Sequence, residues 1–128
     1  MAQTQIVMKF NGCNISIRKA ADKAIEMKSD AFNLVKNVNL IRYDENIEIG
    51  KKLITTRDIK SRMEELKVRC HRCLERGQTP VTVMKLLVEA ALTLESNIGN
   101  AEDAIREYEF ALLKDKMPSG LFPKEKIN

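Results

Sequence analysis

The sequence Cys70-His71-Arg72-Cys73 contains the residue types best suited to chemistry. Two cysteines separated by two residues form half of a zinc site or a redox pair, and the one histidine of the chain lies between them. On a helix, Cys70 and Cys73 share one face, whereas His71 is rotated by about 100° from the first and about 160° from the second. We expect buried structural cysteines with no metal and no cofactor; metal or redox chemistry is the alternative.

Arginines recur along one border of the same predicted helix, and they are Arg62, Arg69, Arg72 and Arg76. A guanidinium row of this kind could bind phosphates or an acidic partner helix. Glu65 interrupts the row, and no aromatic side chains are interleaved for base stacking. The simplest interpretation is that the charged heads stay in water and the stems cover the edge of the core. An acidic protein and a nucleic acid are the alternative partners.

A second apolar patch lies on the last predicted helix. Phe110, Leu113 and Met117 are rotated by about 140° to 180° from Tyr108, which is the centre of the inward stripe of that helix. A helix with two apolar faces needs two partners. The tail with Leu121 could cover the patch, or a second protein chain could bind there, because exposed apolar patches mark association sites.

These features favour binding over catalysis. The chain has no Gly-rich phosphate loop, no nucleophile elbow and no pair of histidines or carboxylates at ligand spacing. We therefore predict a small protein that is not an enzyme and that binds another protein or itself. It would use the Phe110, Leu113 and Met117 patch with the arginine row as a polar rim. The alternative function is a nucleic-acid-binding regulator that uses the arginine row.

Composition limits where such a protein works. The chain has 128 residues, 44% of them hydrophobic, and a net charge of +4, which permits nucleic-acid binding without requiring it. No apolar run reaches the roughly 20 residues that a membrane span needs. Three cysteines, an odd number, with no secretory signal predict a reducing cytoplasm. We expect a cytoplasmic protein with no membrane partner.

The elements that would position these residues begin with a predicted β-hairpin over residues 5–18. Asn11-Gly12 is the preferred pair for a two-residue type I′ turn. Closing this turn places Phe10 opposite Cys13 and Ile6 opposite Ile17, all on one apolar face. We expect that face to lie on helices, because an isolated hairpin is marginal in water.

Apolar spacings of three and four residues predict four helices after the hairpin. The predicted elements are a helix over 19–38, an irregular segment or short hairpin over 39–54, and helices over 56–76, 80–98 and 101–117. In the first helix, Ile25 and Phe32 lie beside the inward stripe. Thr55 and Asp58 resemble a capping box, and Gly99 with Asn100 separates the last two helices. Residues 1–118 would form one domain, followed by a tail over 119–128.

The helix over 80–98 is apolar over most of its circumference, with a narrow polar strip that includes Lys85 and Glu89. A helix of this type must be surrounded by other elements, so we place it at the centre of the bundle. The predicted fold class is α+β, mostly α, with an N-terminal β-hairpin packed on a bundle of about four helices.

Overall fold

The computed structural model describes residues 7–10, 13–74 and 79–116. Within these ranges, two strands precede three helices: β1 (Val7–Phe10), β2 (Cys13–Ser16), α1 (Ile17–Tyr43), α2 (Ile49–Cys73) and α3 (Val81–Lys116). α3 packs along both α1 and α2. Its fully buried side chains Val83, Leu87 and Leu94 lie in the same core as Met63 of α2 and Ala24 of α1. The molecule is therefore a bundle of three long helices in its described part.

The predicted α+β class is wrong, because the structure is an all-helical bundle. The helices have 27, 25 and 36 residues, whereas each strand has four. The strands pair antiparallel, with Val7 opposite Ser16 and Phe10 opposite Cys13, but they add only a short N-terminal element to the bundle. The predicted bundle of about four helices is also corrected to three in the described ranges.

The hairpin predicted over residues 5–18 is too long at its C-terminal end. Ile17 and Arg18 belong to α1, so Ile17 is not available to pair with Ile6. Ser16 causes the change from strand to helix: it is extended, with φ −65° and ψ 153°, and its side chain accepts a hydrogen bond of 3.2 Å from the Lys19 N–H. The proposed turn at 11–12 and Ile6 lie outside the described residues.

The segment 39–54, predicted to be irregular or a short hairpin, is mostly helical. α1 continues to Tyr43, and α2 begins at Ile49 instead of after Thr55. The link between them is a five-residue turn in which the Asp44 carboxylate accepts a hydrogen bond of 2.9 Å from the Asn46 N–H. The first turns of α2 are helical because Leu53 extends its buried stripe toward the N-terminus. Thr55 and Asp58 therefore lie inside the helix and form no N-terminal capping box.

The helices predicted over 80–98 and 101–117 are one continuous helix, α3. Gly99 does not end it, since Ala101 and Ala104 continue the fully buried stripe past the glycine. The Asn100 side chain donates a hydrogen bond of 3.2 Å to Asn97 Oδ1 within the helix. Packing against the neighbouring helices therefore outweighs the local stop signal, and α3 reaches a length of about 54 Å.

The C-terminal half of α3 has its own small core beside the start of α2. Leu53, Ala104 and Tyr108 form a buried cluster there. Two hydroxyl groups in this region, Thr56 Oγ1 and Tyr108 OH, are buried without a hydrogen bond of acceptable geometry. Burial raises the pKa of the Tyr108 hydroxyl above its usual value. This cluster holds the second half of α3 against the bundle.

Candidate protein-binding surface

The surface of α3 that points away from the core is apolar at both ends, and we call it the outer face. Its apolar members and their exposed fractions are Val81 (73%), Met84 (39%), Val88 (38%), Leu92 (57%), Phe110 (50%) and Leu113 (48%). At about 100° per residue these side chains lie on the side of the helix away from the buried stripe, except Met84, which lies toward the flank that meets α2. The predicted patch residues Phe110 and Leu113 thus belong to a longer surface, and Met117 lies outside the described residues.

The middle of the outer face is polar. Glu95, Gly99, Asp103 and Arg106 separate the two apolar ends, and all four are exposed. The Arg106 guanidinium forms an ion pair of 3.2 Å with the Asp103 carboxylate on the previous turn. Because both side chains are more than half exposed, this pair contributes little to stability and can exchange partners. The outer face is therefore apolar near both of its ends and charged in the middle.

Ion pairs fix α1 along one flank of α3. Lys28 Nζ donates a hydrogen bond of 2.6 Å to Glu89 Oε2, and Arg42 donates two hydrogen bonds to the Glu107 carboxylate. The hydrogen bond from Lys28 lowers the pKa of Glu89, and that from Arg42 to Glu107 raises the pKa of Arg42. Leu92 lies three residues after Glu89, on the solvent side of this row of ion pairs.

Another pair of contacts fixes α2 along the opposite flank. Arg57 pairs with Glu109, and Lys60 Nζ lies 3.3 Å from the Glu102 carboxylate. Glu107 and Glu109 are separated by about 160° around the helix, so α1 and α2 approach α3 from two sides. The buried stripe lies between them. The remaining arc is the outer face, which neither helix covers.

α1 also exposes apolar side chains that the sequence pattern placed beside its inward stripe. Phe32 is 67% exposed and Ile25 is 53% exposed. Both lie on the same side of α1 as Lys28, at positions three residues before it and four residues after it. This places them toward the flank that meets α3. The sequence interpretation did not predict the exposure of these two side chains, because a bundle of four helices would have covered that flank.

The arginine row does not form a rim for the outer face. Arg62 and Arg69 line a groove between α1 and α2, together with Leu34, Asn33 and Asn37. Lys60, which faces α3, is separated from Arg62 by about 160° around α2. Arg72 is exposed near the end of α2, and Arg76 lies outside the described residues. The structure therefore brings together two of the four arginines, on the side of α2 that faces away from α3.

The charge of the α1–α2 groove is mixed. Asp30 and Glu65 line it beside Arg62 and Arg69. Arg62 Nε also forms an ion pair of 2.9 Å with the Asp58 carboxylate. Carboxylates at these positions oppose the approach of phosphates, because like charges meet there. The groove gives no specific support to nucleic-acid binding.

Cys70 and Cys73 are buried, as predicted, with exposed fractions of 0% and 1%, and the Cys70 thiol is free. Burial raises the pKa of the Cys70 thiol to about 11, and the neighbouring Cys73 adds to this shift. His71 is exposed on another face of α2. Within the described ranges, no three His, Cys, Asp or Glu side chains are grouped so as to hold a metal ion.

Comparisons of the chain with family models, with curated proteins and with solved structures found no match. Among the residues that the structure describes, no helix is both long enough and apolar enough to cross a membrane. α3 itself has the length, but charged side chains such as Lys85, Glu95 and Arg106 interrupt it.

Proposed function

We propose that this protein is a non-catalytic protein-binding module and that its binding surface is the outer face of α3. The observation that supports the proposal is the row of exposed Val81, Met84, Val88 and Leu92 side chains along one helix face. Four large apolar side chains at a spacing of three and four residues form a continuous stripe. Water contact with such a stripe is unfavourable by about 25 cal/mol per Å², so a partner that covers it gains this free energy.

The geometry of the surface also favours a helical or flat protein partner. The outer face runs along a helix of about 54 Å, and it is convex because it is one side of a cylinder. A small molecule needs a concave pocket that buries most of its surface. A convex helix face instead packs against another helix or into the groove of a second protein.

The test compares Leu92→Asp with the matched control Ser96→Asp. Both positions are exposed on α3, and both changes add one negative charge, but only Leu92 belongs to the apolar stripe. Each full-length variant is immobilised and exposed to a lysate of the native host, and captured proteins are quantified by mass spectrometry. We expect specific proteins on the wild type and on Ser96→Asp that are lost on Leu92→Asp.

Helicity measured by circular dichroism should be the same for all three proteins, since neither position is in the core. Capture of the same proteins in the same amounts by wild type and Leu92→Asp would contradict the proposal.

We also propose a cytoplasmic location. It is supported by the free thiol of Cys70, because thiols persist in a reducing compartment. Fractionation of host cells with an antibody against the protein tests this, and recovery in an oxidising compartment or outside the cell would contradict it.

A further inference from the structure

The apolar residues of the outer face are distributed so that the face is complementary to itself. One group lies near the start of α3, at Val88 and Leu92, and the other lies near its end, at Phe110 and Leu113. Charged residues, Glu95 and Arg106, lie between the groups. Two copies of α3 packed antiparallel would bring the first group of one copy against the second group of the other.

One register satisfies all of these contacts together. In an antiparallel pair related by a two-fold axis, two residues face each other when they are equally distant from the axis. Val88 and Leu113 are equally distant from a point between Asn100 and Ala101, and Leu92 and Phe110 are centred within one residue of it. Apolar side chains therefore meet apolar side chains four times, twice for each pair.

The charges select the same register. Glu95 and Arg106 are centred on the same point between Asn100 and Ala101, so each carboxylate faces a guanidinium of the other copy. An antiparallel shift of about one turn, centred on Gly99, would still place Val88 opposite Phe110. It would also place Glu95 opposite Asp103, which is unfavourable because both are acidic.

A parallel arrangement is disfavoured by the same residues. It would place Glu95 opposite Glu95 and Arg106 opposite Arg106, so like charges would meet at both positions. Gly99 lies near the crossing point and has no side chain, so it allows the two helices to approach closely in either arrangement. The space where a Gly99 Cβ would lie has no atom within 4 Å.

We propose that the partner of the outer face is the outer face of a second copy of this chain, packed antiparallel. The two-fold axis crosses the outer face at the level of Asn100 and Ala101 along the helix. This inference rests on the proposed function, since it names the occupant of the same surface. Val88 and Leu92 of one copy contact Leu113 and Phe110 of the other. The two Glu95–Arg106 ion pairs flank the centre and fix the register.

The test exchanges the charges. Glu95→Arg leaves two arginines at each of the paired positions, and Arg106→Glu leaves two glutamates. These changes alter the net charge in opposite directions, yet each converts two attractions into two repulsions. We expect each single variant to raise the dimer dissociation constant by on the order of tenfold, measured by sedimentation equilibrium.

Rescue distinguishes this pairing from a general charge effect. The double variant Glu95→Arg/Arg106→Glu restores opposite charges at both sites, as does an equimolar mixture of the two single variants. We expect both to return to a dissociation constant close to that of the wild type. Glu45→Arg, an equal charge change in the turn between α1 and α2, is the control and should have no effect on dimerisation.

Three results would overturn the inference. They are a wild type that is monomeric at all concentrations, single variants that dimerise as well as the wild type, and a double variant that fails to recover. Single variants that keep full dimerisation would indicate a parallel pair or another surface. Leu92-dependent capture of a host protein by a strictly monomeric chain would reject the second copy while supporting the proposed function, so the two failures are distinguishable.

Discussion

The two faces of α3 have similar residue types and opposite surroundings. Leu94 is fully buried, whereas Leu92, two residues earlier, is 57% exposed. Val83 and Val88 differ in the same way, with exposed fractions of 0% and 38%. The difference comes from the number of neighbours, because α1 and α2 can cover only one arc of a third helix. The first half of α3 is apolar on most sides, so it keeps an apolar face that α1 and α2 do not cover.

The first test of this comparison substitutes the two leucines separately. We expect Leu94→Ala to lower the free energy of unfolding by about 2–5 kcal/mol, because it removes apolar contacts and leaves a cavity. Leu92→Ala should change it by no more than about 0.5 kcal/mol in the monomer. Urea denaturation at low protein concentration measures both. Equal losses for the two variants would show that the outer face is covered within the monomer.

The second test extends the comparison to α2, through the buried thiol of Cys70. Its pKa is about 11 in the folded protein against an ordinary value of 9.0. As the pH rises, the Cys70 thiol loses its proton at a lower pH in the unfolded chain than in the folded protein. The contribution of this thiol to the free energy of unfolding is therefore complete below about pH 9 and is lost as the pH rises toward 11. The loss should be on the order of 2 kcal/mol.

Denaturation series between about pH 8 and pH 11 measure this effect in the wild type and in Cys70→Ala. The variant should be less stable overall because of its cavity, but its stability should fall less steeply with pH. Parallel curves for the two proteins would mean that Cys70 does not ionise in this range on unfolding.

The third test concerns Gly99, at the middle of the outer face. A methyl group at this position meets no atom within 4 Å, and the residue lies inside a helix. We therefore expect Gly99→Ala to stabilise the monomer by about 0.5–1 kcal/mol, because alanine loses less backbone entropy. The melting temperature at low protein concentration measures this. A destabilised monomer would indicate that the methyl group meets part of the same chain.

The smallest expected effect lies at the margin between the two faces. Glu107→Gln removes the ion pair with Arg42, whose side chain is 26% exposed. We expect a loss of about 1 kcal/mol or less, which decreases further in 1 M NaCl because salt screens exposed charges. Glu45→Gln in the turn is the matched control. A larger loss that persists in high salt would mean that packing, and not charge, is lost at this position.

Local signals in the sequence were reliable where packing agreed with them. Apolar spacings of three and four residues predicted the helix over 56–76, and Ile59, Met63, Leu66 and Cys70, which have these spacings, are all buried. The same reasoning predicted buried cysteines at 70 and 73. Side chains that recur on one helical face share the same environment. A pattern of this kind therefore predicts burial correctly even when the predicted helix ends are wrong.

The helix ends were less predictable, because capping signals are weak compared with tertiary packing. Gly99 and Asn100 indicated a break, but Ala101 and Ala104 pack into the bundle and continue the helix. Thr55 and Asp58 indicated a helix start, but buried Leu53 precedes them in α2. A cap contributes about 1 kcal/mol, and burial of several side chains contributes more.

The amino-acid sequence by itself determined that the helical segment over 80–98 would be apolar on most sides and that Phe110 and Leu113 would lie opposite Tyr108. It could not determine which of these sides remains in water, since that depends on how many helices surround α3. With four predicted helices every flank had a neighbour, and Val88 and Leu92 were assigned to the interior. Only the tertiary structure merged two of those helices into one, and among the described helices this removed the neighbour that would have covered Val88 and Leu92.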